Sequence, residues 1–330
     1  MSISDVSVVI PAYNAEKFVI EALDSIARQE CLPKEVFVIN DGSTDQTYKI
    51  VQEWIAGARR DYPVYLFTQE NCGLPATRNV GISHATGRWI ALLDADDIWE
   101  PNHLSELVNA VVLIPSAIAA YGAGRLLVGD TVNDFLYDDF WDNPSKQFGK
   151  KIPDSSCLQI DARIFPRLIE GNFIKPSSLM FNRVSALEIG LFDESLRTGE
   201  DREFLVRLIF KGDFIYSPTP ITQYRWHNDN ISQTKNAKRN AENGLRALLK
   251  IGNNTTLEFS DSEMAACQSA IQAATKEYLY ICSLGGWKIY AAGLGFVWKL
   301  FGWRSATVAV NPKHIVRCCV IPSPHGSSQV

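Results

Sequence analysis

Four short runs rich in β-branched and aromatic residues recur through the first third of this 330-residue chain, at 6–10 (VSVVI), 35–39 (EVFVI), 63–67 (PVYLF) and 88–93 (RWIALL). Apolar runs of this length, with little polar alternation, read as strands buried on both faces. Between them, 15–29, 44–57 and 74–85 carry apolar residues at helical spacing, as at Phe18, Ala22 and Ile26. Strand and helix alternate. That order predicts right-handed β-α-β crossovers and an α/β, Rossmann-like fold with a mostly parallel central sheet flanked by helices. In such sheets ligands bind outside the carboxyl ends of the strands, so the chemistry is sought on that rim.

The rim is polar and acidic. PAYNAE follows the first strand, NDGSTD the second and DADD the fourth, and ENCGLPATRNVGISHATG places Arg78 and Asn79 on the helix before the fourth strand. Asp94, Asp96 and Asp97 crowd three carboxylates into four positions, and like charges so close repel. A divalent cation is their natural companion: Mg²⁺ and Mn²⁺ take oxygen ligands, and Mg²⁺ commonly binds one or two carboxylates while substrate phosphates complete its shell. The plain alternative is a solvated acidic turn, with Asp97 capping a helix that begins near Pro101. Farther on, a second set of strands is expected from 117 to 128 and a polar, aromatic insertion of unassigned form at 130–155. KPSSLMFNR (175–183) reads as a strand with Ser177 and Ser178 as lining, GEDREFLVRLIFKG (199–212) as a helix opening on acids, 213–232 as strand and loop, and 236–282 as helical.

Composition narrows the class. An apolar fraction of 46% supports a sizeable core, and 21% charged residues is ordinary for a globular chain. The seven cysteines form no C-x-x-C pair, which fits a reducing cytosolic compartment. VSVVI near the N-terminus lacks the pattern of a signal peptide, so a cytoplasmic protein is expected. No G-x-G-x-x-G follows a strand and no G-x-x-x-x-G-K-[ST] occurs, which argues against a dehydrogenase and a P-loop enzyme. With a net charge of −5, no nucleic-acid partner is expected.

VSVVIPAYNAEKFVIEALDSI, EVFVINDGSTDQT, NCGLPATRNVGISHATGRWIALLDADD and GEDREFLVRL together resemble the signature blocks of family 2 glycosyltransferases, over about residues 5–232. The resemblance implies a GT-A fold and inverting transfer of a sugar from a nucleotide diphosphosugar, a UDP-sugar, to an acceptor hydroxyl in making a cell-surface glycan or polysaccharide. It implies a catalytic domain at 1–235, with a nucleotide-binding half at about 1–120 and an acceptor-binding half at 121–235; the residues that follow, by their own pattern, are expected to form a helical extension at 236–330. Pro11, Ala12, Tyr13 and Asn14 would face the nucleotide base and Asp41 would contact it. Arg78 and Asn79 would lie near the diphosphate and donor sugar, Asp94 would meet the ribose with Ala95 beside it, and Asp96 the metal, Mn²⁺ or Mg²⁺, with Asp97 accessory. Asp201 matches the general base, with Glu200 orienting it, and a helix N-terminus favours the ionised carboxylate that a base must present. His227 matches a loop position that closes over diphosphate and metal, with Arg225 and Ser232 accessory. The structural alternatives are turn formation at Asp41 and Gly42, a solvated helix face at Arg78, a structural hydrogen-bonding role for His227, and helix capping at Glu200 and Asp201.

Beyond about 235 the resemblance gives no guidance. After Glu277 there is no Asp or Glu, while Lys288, Lys299, Arg304, Lys313 and Arg317 remain, leaving 27 cations against 37 acids in the first 277 residues. The stretch 283–310 is apolar with Trp287, Trp298 and Trp303, but its lysines and glycines interrupt it, which disfavours a span. An interfacial helix on an anionic membrane surface, through 283–320, suits it, and so does an amphipathic helix packed on the catalytic domain. The first reading makes the protein peripheral at the inner face of the cytoplasmic membrane, near a glycan or lipid-linked acceptor. Two other functions remain open: a sugar-nucleotide nucleotidyltransferase, although PAYNAEKF lacks the glycine-rich loop of such enzymes, and a non-catalytic nucleotide-sugar-binding protein, against which Asp94, Asp96 and Asp201 stand together.

Overall fold

The computed structural model describes residues 2–57, 60–227, 230, 234–302 and 311–320. Two compact units divide the chain, Met1–Asn228 and Asp229–Val330. In the first, the apolar runs form β1 (Val6–Ala12), β2 (Glu35–Asp41), β3 (Val64–Gln69) and β4 (Trp89–Leu92). Helices α1 (Val19–Ala27), α2 (Thr47–Gly57) and α3 (Leu74–His84) connect them. β1 pairs in parallel with β2 and β4, and β2 in parallel with β3. Every β1 residue is buried, which is why its sequence shows no alternation. Val6, Val8 and Ile10 share one core cluster with Ala22, Leu23 and Ile26 of α1. Gly81 brings α3 against β1, where a Cβ would stand 2.4 Å from Val9 Cγ1.

The rest of this unit is α4 (His103–Val111), β5 (Ala117–Val128), β6 (Thr131–Leu136), α5 (Pro144–Phe148), β7 (Leu158–Ile160), α6 (Phe165–Glu170), β8 (Leu179–Asn182), α7 (Arg183–Glu188), α8 (Glu200–Ile209) and β9 (Asp213–Trp226). The large sheet runs Lys150–Lys151, β7, β9, β5, β8, β4, β1, β2, β3. Its parallel character belongs to β1–β4 and to the β5–β9 pair, whereas β8 is antiparallel to both β4 and β5. The sheet is therefore mixed. β8 is entered from a 3₁₀ turn at Pro176–Ser178 that follows α6. The same turn delays the strand expected from 175 until Leu179, because Pro176 has no N–H to give a ladder. The insertion at 130–155 resolves into β6, exposed along almost its whole length, a 3₁₀ turn at Tyr137–Trp141, α5 and the edge strand, which leaves little periodic signal.

In the second unit the expected helical stretch divides into α9 (Ala237–Gly252) and α10 (Asp261–Leu284). A capping box opens α10: Ser260 Oγ accepts from Glu263 N while the Glu263 carboxylate accepts from Ser260 N at 2.8 Å. α11 (Trp287–Phe301) and α12 (Pro312–Val320) follow. Tyr278, Leu279, Cys282, Tyr290, Val297 and Cys318 form their core. Gly293 lets α11 approach α10, since a Cβ there would lie 2.7 Å from Cys282 Sγ. Trp287 and Trp298 are more than half exposed on α11, with Lys288 and Lys299 beside them. Trp303 and Arg304 lie outside the described residues. No described helix is long and apolar enough to cross a membrane.

Candidate functional site

The loops after β1 and β2 are laced together. Asn14, held at φ 48°, donates its N–H to Ser43 Oγ at 3.0 Å and accepts from Thr44 N at 2.8 Å. Ala15 N donates to Thr47 Oγ1, Glu16 N to Asp45, and Gln46 N to Glu16. Pro11 and Ala12 are buried strand residues, and Tyr13 stands out at 52% exposure. Asp41 is buried, and its carboxylate accepts from Gln69 Nε2, Cys72 N and Gly73 N at 2.8–2.9 Å. It thereby ties the start of α3 to the end of β2, a structural role beyond the turn read from the sequence.

The acidic turn after β4 is not a bare cluster. Asp94 accepts from Arg78 Nη2 at 2.8 Å and Asp96 Oδ2 lies 2.9 Å from His227 Nε2. Asp97 is 1% exposed, and accepts from Ser177 Oγ at 2.6 Å and Arg225 N at 2.9 Å. Each carboxylate therefore has its own partner, although Asp94 and Asp96 still act on Asp97. Asp97 caps no helix: α4 starts at His103 with Asn102 before it. Burial, then Asp96 and Asp94, hold the Asp97 carboxyl well above the usual carboxylate range. Ala95 is buried in the core. Arg225 braces the turn from behind, donating from Nε to Asp96 O and from Nη2 to Glu21, over the Phe18 ring. His227 packs on the same ring, with centroids 4.7 Å apart. Ser232 lies outside the described residues. Among the described residues no three His, Cys, Asp or Glu side chains gather as a metal cage; Asp96 and His227 offer an oxygen and a nitrogen ligand side by side, a pair that fits a cation whose remaining ligands come from elsewhere.

Arg78 is not on a solvated helix face. At 1% exposure it spans the site, with Nη1 on Glu200 and Nη2 on Asp94, both at 2.8 Å. Gly199, at φ 82°, turns the chain into α8 so that Glu200 is buried and Asp201 half-buried at its first turn. Burial raises the Glu200 carboxyl, Asp201 raises it further, and Arg78 opposes both. Asp201 accepts from Asn172 Nδ2 and from Arg202 N. Asn79 is directed otherwise: its amide bonds Phe192 O, Phe192 N and Glu194, at 2.8–3.0 Å, so it clamps the 192–194 segment.

Several members of the site carried no signal of their own in the sequence. Ser177, read as lining, accepts from Asp94 N, donates to Asp97, and its carbonyl accepts from Trp99 Nε1 and Thr222 Oγ1. Asn172 holds Asp201, and Lys175 stands over the rings of Tyr137 and Tyr224 at 4.4 and 4.8 Å.

A parallel half-sheet whose rim carries an acidic turn, extended by antiparallel pairing at β8, is a GT-A-type fold, and solved structures share it. The S. aureus TarS fragment 1–349 in complex with UDP-GlcNAc superposes with a TM-score of 0.62 at 20% identity, covering 94% of this chain and 84% of that one. The mannosyltransferase PcManGT from Pyrobaculum calidifontis, in complex with GDP-Man and Mn²⁺, gives 0.59 at 16% identity over 96% and 83%. Residues 7–150 match the family described as Glycosyl transferase family 2. The putative glycosyltransferase EpsH of Bacillus subtilis (strain 168) is 27% identical over 86% of this chain and 77% of its own length. An uncharacterized glycosyltransferase of Rickettsia prowazekii (strain Madrid E) is 29% identical over 71% and 67%. With this partial family match, these relatives and this fold, the chain is a glycosyltransferase of GT-A type.

Proposed function

We propose that this enzyme transfers a sugar from a nucleotide diphosphosugar, a UDP-sugar, to an acceptor hydroxyl with inversion, in the assembly of a cell-surface glycan or polysaccharide. One observation carries the reading: Arg78 joins Asp94 of the acidic turn to Glu200 at the start of α8, so donor side and base side are held by one buried guanidinium. Asp201 takes the acceptor proton as the acceptor oxygen forms its bond to the anomeric carbon; the bond to the diphosphate breaks, and the diphosphate leaves with the electron pair. Glu200, fixed by Arg78, orients the first turn of α8 behind Asp201.

Pro11, Ala12, Tyr13, Asn14 and Asp41 shape the base pocket, and Asp94 with Ala95 meets the ribose. Arg78 and Asn79 support the diphosphate and sugar region from behind, with Asp97, Arg225 and Ser232 accessory. Asp96 and His227 would hold Mn²⁺ or Mg²⁺, which when bound supplies charge neutralisation for the departing diphosphate. The donors printed for the neighbours, UDP-GlcNAc and GDP-Man with Mn²⁺, support a nucleotide-sugar donor and a divalent ion. Catalysis falls to 1–235, split at about 120 between donor and acceptor halves, with 236–330 as extension. The exposed Trp287 and Trp298 beside Lys288 and Lys299 support peripheral binding at the inner face of the cytoplasmic membrane, near a glycan or lipid-linked acceptor.

A thermal-shift screen of UDP-sugars and GDP-mannose, with and without Mn²⁺, tests the donor, because a ligand of the native state raises Tm by mass action. At least one nucleotide sugar is expected to raise Tm, more so with Mn²⁺; a flat response across the panel defeats the proposal. Flotation with anionic vesicles tests the membrane part, where Trp287→Ser with Trp298→Ser is expected to reduce recovery.

A further inference from the structure

Lys175 is a half-buried cation of the catalytic unit that stands against aromatic rings. Arg78, Arg207 and Arg225 are buried, and each meets a carboxylate. Lys175 makes no ion pair with any described residue, and its ammonium instead stands 4.4 Å from the Tyr137 ring centroid and 4.8 Å from that of Tyr224. The two rings lie 5.7 Å apart, tilted by 47°, so they form a corner that holds the ammonium from two sides. Ring faces attract a cation without using its N–H directions, and a lysine ammonium carries three donors and no acceptor. Burial disfavours its charge, but the two tyrosines and Asp201 outweigh that and hold the pKa above the ordinary lysine value. The side chain therefore remains a cation, with no described carboxylate in ion-pair contact.

Its place in the site says what the charge meets. Asn172, three residues earlier, donates to Asp201, and Tyr137 Oη donates to Asn172 O at 3.3 Å. The Asp201 carboxylate acts directly on the Lys175 charge, while the field at Tyr224 includes Asp97 and Asp96. Lys175 thus stands in the reaction zone, tied through Asn172 and Tyr137 to the carboxylate that faces the acceptor hydroxyl. This step rests on the proposed role of Asp201. The donor diphosphate belongs by the same reading with Asp96 and His227.

We infer that Lys175, set in the Tyr137–Tyr224 corner, is a specificity residue that pairs with an oxyanion, a phosphate or carboxylate, carried by the sugar acceptor. An anionic acceptor supplies the contact ion pair that no described carboxylate makes with Lys175, and the charge-assisted hydrogen bond favours it over a neutral analogue of the same shape. Lysine suits this task as a point charge, without demanding the planar geometry of a guanidinium.

The test follows the lysine ammonium resonances of the full chain, labelled with ¹⁵N at lysine, with Lys175→Met used to assign the Lys175 signal. Glycerol 3-phosphate, as a small alcohol bearing an oxyanion, is titrated against glycerol. Glycerol 3-phosphate is expected to move the Lys175 signal at concentrations about tenfold lower than glycerol, as one charged contact implies. The movement is expected to survive saturation with UDP and Mn²⁺. A response no different from that to glycerol overturns the proposal, and so does displacement of glycerol 3-phosphate by UDP, which makes Lys175 part of the donor site. Should Lys175→Met lower Tm in the absence of ligand, Lys175→Arg decides: it is expected to keep glycerol 3-phosphate binding, and loss of that binding with an unchanged Tm counts against the proposal. Asp201→Asn separates the two readings. Removing that neighbouring negative charge is expected to tighten glycerol 3-phosphate binding, whereas continued sugar transfer by the same variant defeats the base assignment and leaves the anion titration standing.

Discussion

The guanidinium of Arg78 donates to Glu200 Oε1 at 2.8 Å across 122 residues of chain, with Arg78 1% and Glu200 4% exposed. A second fork arm on Asp94 makes the same side chain the tie between the acidic turn and the start of α8. Removing the cation leaves the buried Glu200 carboxylate and the part-buried Asp94 without their shared partner. Arg78→Met is therefore expected to destabilise the protein by roughly 3–5 kcal/mol, the usual cost of breaking a buried pair from one side. Arg78→Lys keeps charge but not the two-armed geometry, and should fall between the variants. Urea denaturation measures both; a loss below about 1 kcal/mol in Arg78→Met contradicts the account.

Asp201→Asn keeps the shape of the first turn of α8 and removes the proton acceptor. Turnover is expected to fall by about 10²–10⁴-fold, the usual contribution of general-base catalysis, while nucleotide-sugar affinity stays within about twofold because the donor side is untouched. Steady-state kinetics beside calorimetric donor titration would check the pair. Equal losses in binding and turnover point to a misfolded site instead.

Asp96 and His227 stand 2.9 Å apart, with Phe18 under the imidazole. If they form the cation platform, Asp96→Ala and His227→Ala each remove one ligand and leave the nucleotide pocket in place. The Mn²⁺-dependent part of donor affinity should then drop by about 10–100-fold, with the metal-free part unchanged. Donor titrations with Mn²⁺ and with EDTA separate the two, and a metal effect that persists in both variants removes the platform.

The first 111 residues were the most legible stretch because β-branched runs and helical spacing are local signals, as in Val6–Ala12 and Val19–Ala27. Partnerships were another matter. Nothing local to Asp97 announces Ser177, 80 residues on, or Arg225, 128 residues on, so an acidic turn could not be told from a self-repelling cluster. Lys175 stood out only as the first residue of the strand expected over 175–183, because its meaning comes from Tyr137 and Tyr224, which reach it from separate elements. Asn79 shows the converse: a motif position beside Arg78 turned toward Phe192 and Glu194, since neighbours on a helix point in different directions. The insertion at 130–155 hid its short strand because that strand is exposed along almost its whole length, so no buried face imposes alternation, and its helix because five residues make little more than one turn.

Asp138 gives a prediction remote from the chemistry. Its carboxylate accepts from Tyr216 Oη at 2.7 Å, and Tyr216 also accepts from Asn143 Nδ2 at 3.2 Å. Burial, helped by Asp139 and opposed by the Tyr216 hydrogen bond, pushes the carboxyl up to about 7. An acid whose folded pKa is raised binds its proton more tightly in the native state. Its stabilising contribution is whole below the unfolded value near 4 and is lost as pH rises through about 7. The loss is on the order of 4 kcal/mol at 1.36 kcal/mol per unit. His103 slopes the other way, because burial lowers it to about 3, so the wild-type curve alone mixes the two. Asp138→Asn isolates the acid: its amide oxygen can still accept from Tyr216, and it has no proton to lose. Tm of the variant relative to wild type should rise from pH 5 to pH 8, by several degrees if the full term is realised. Parallel Tm curves across that range would show that Asp138 is solvated or already compensated in solution, and would remove it from the pH response.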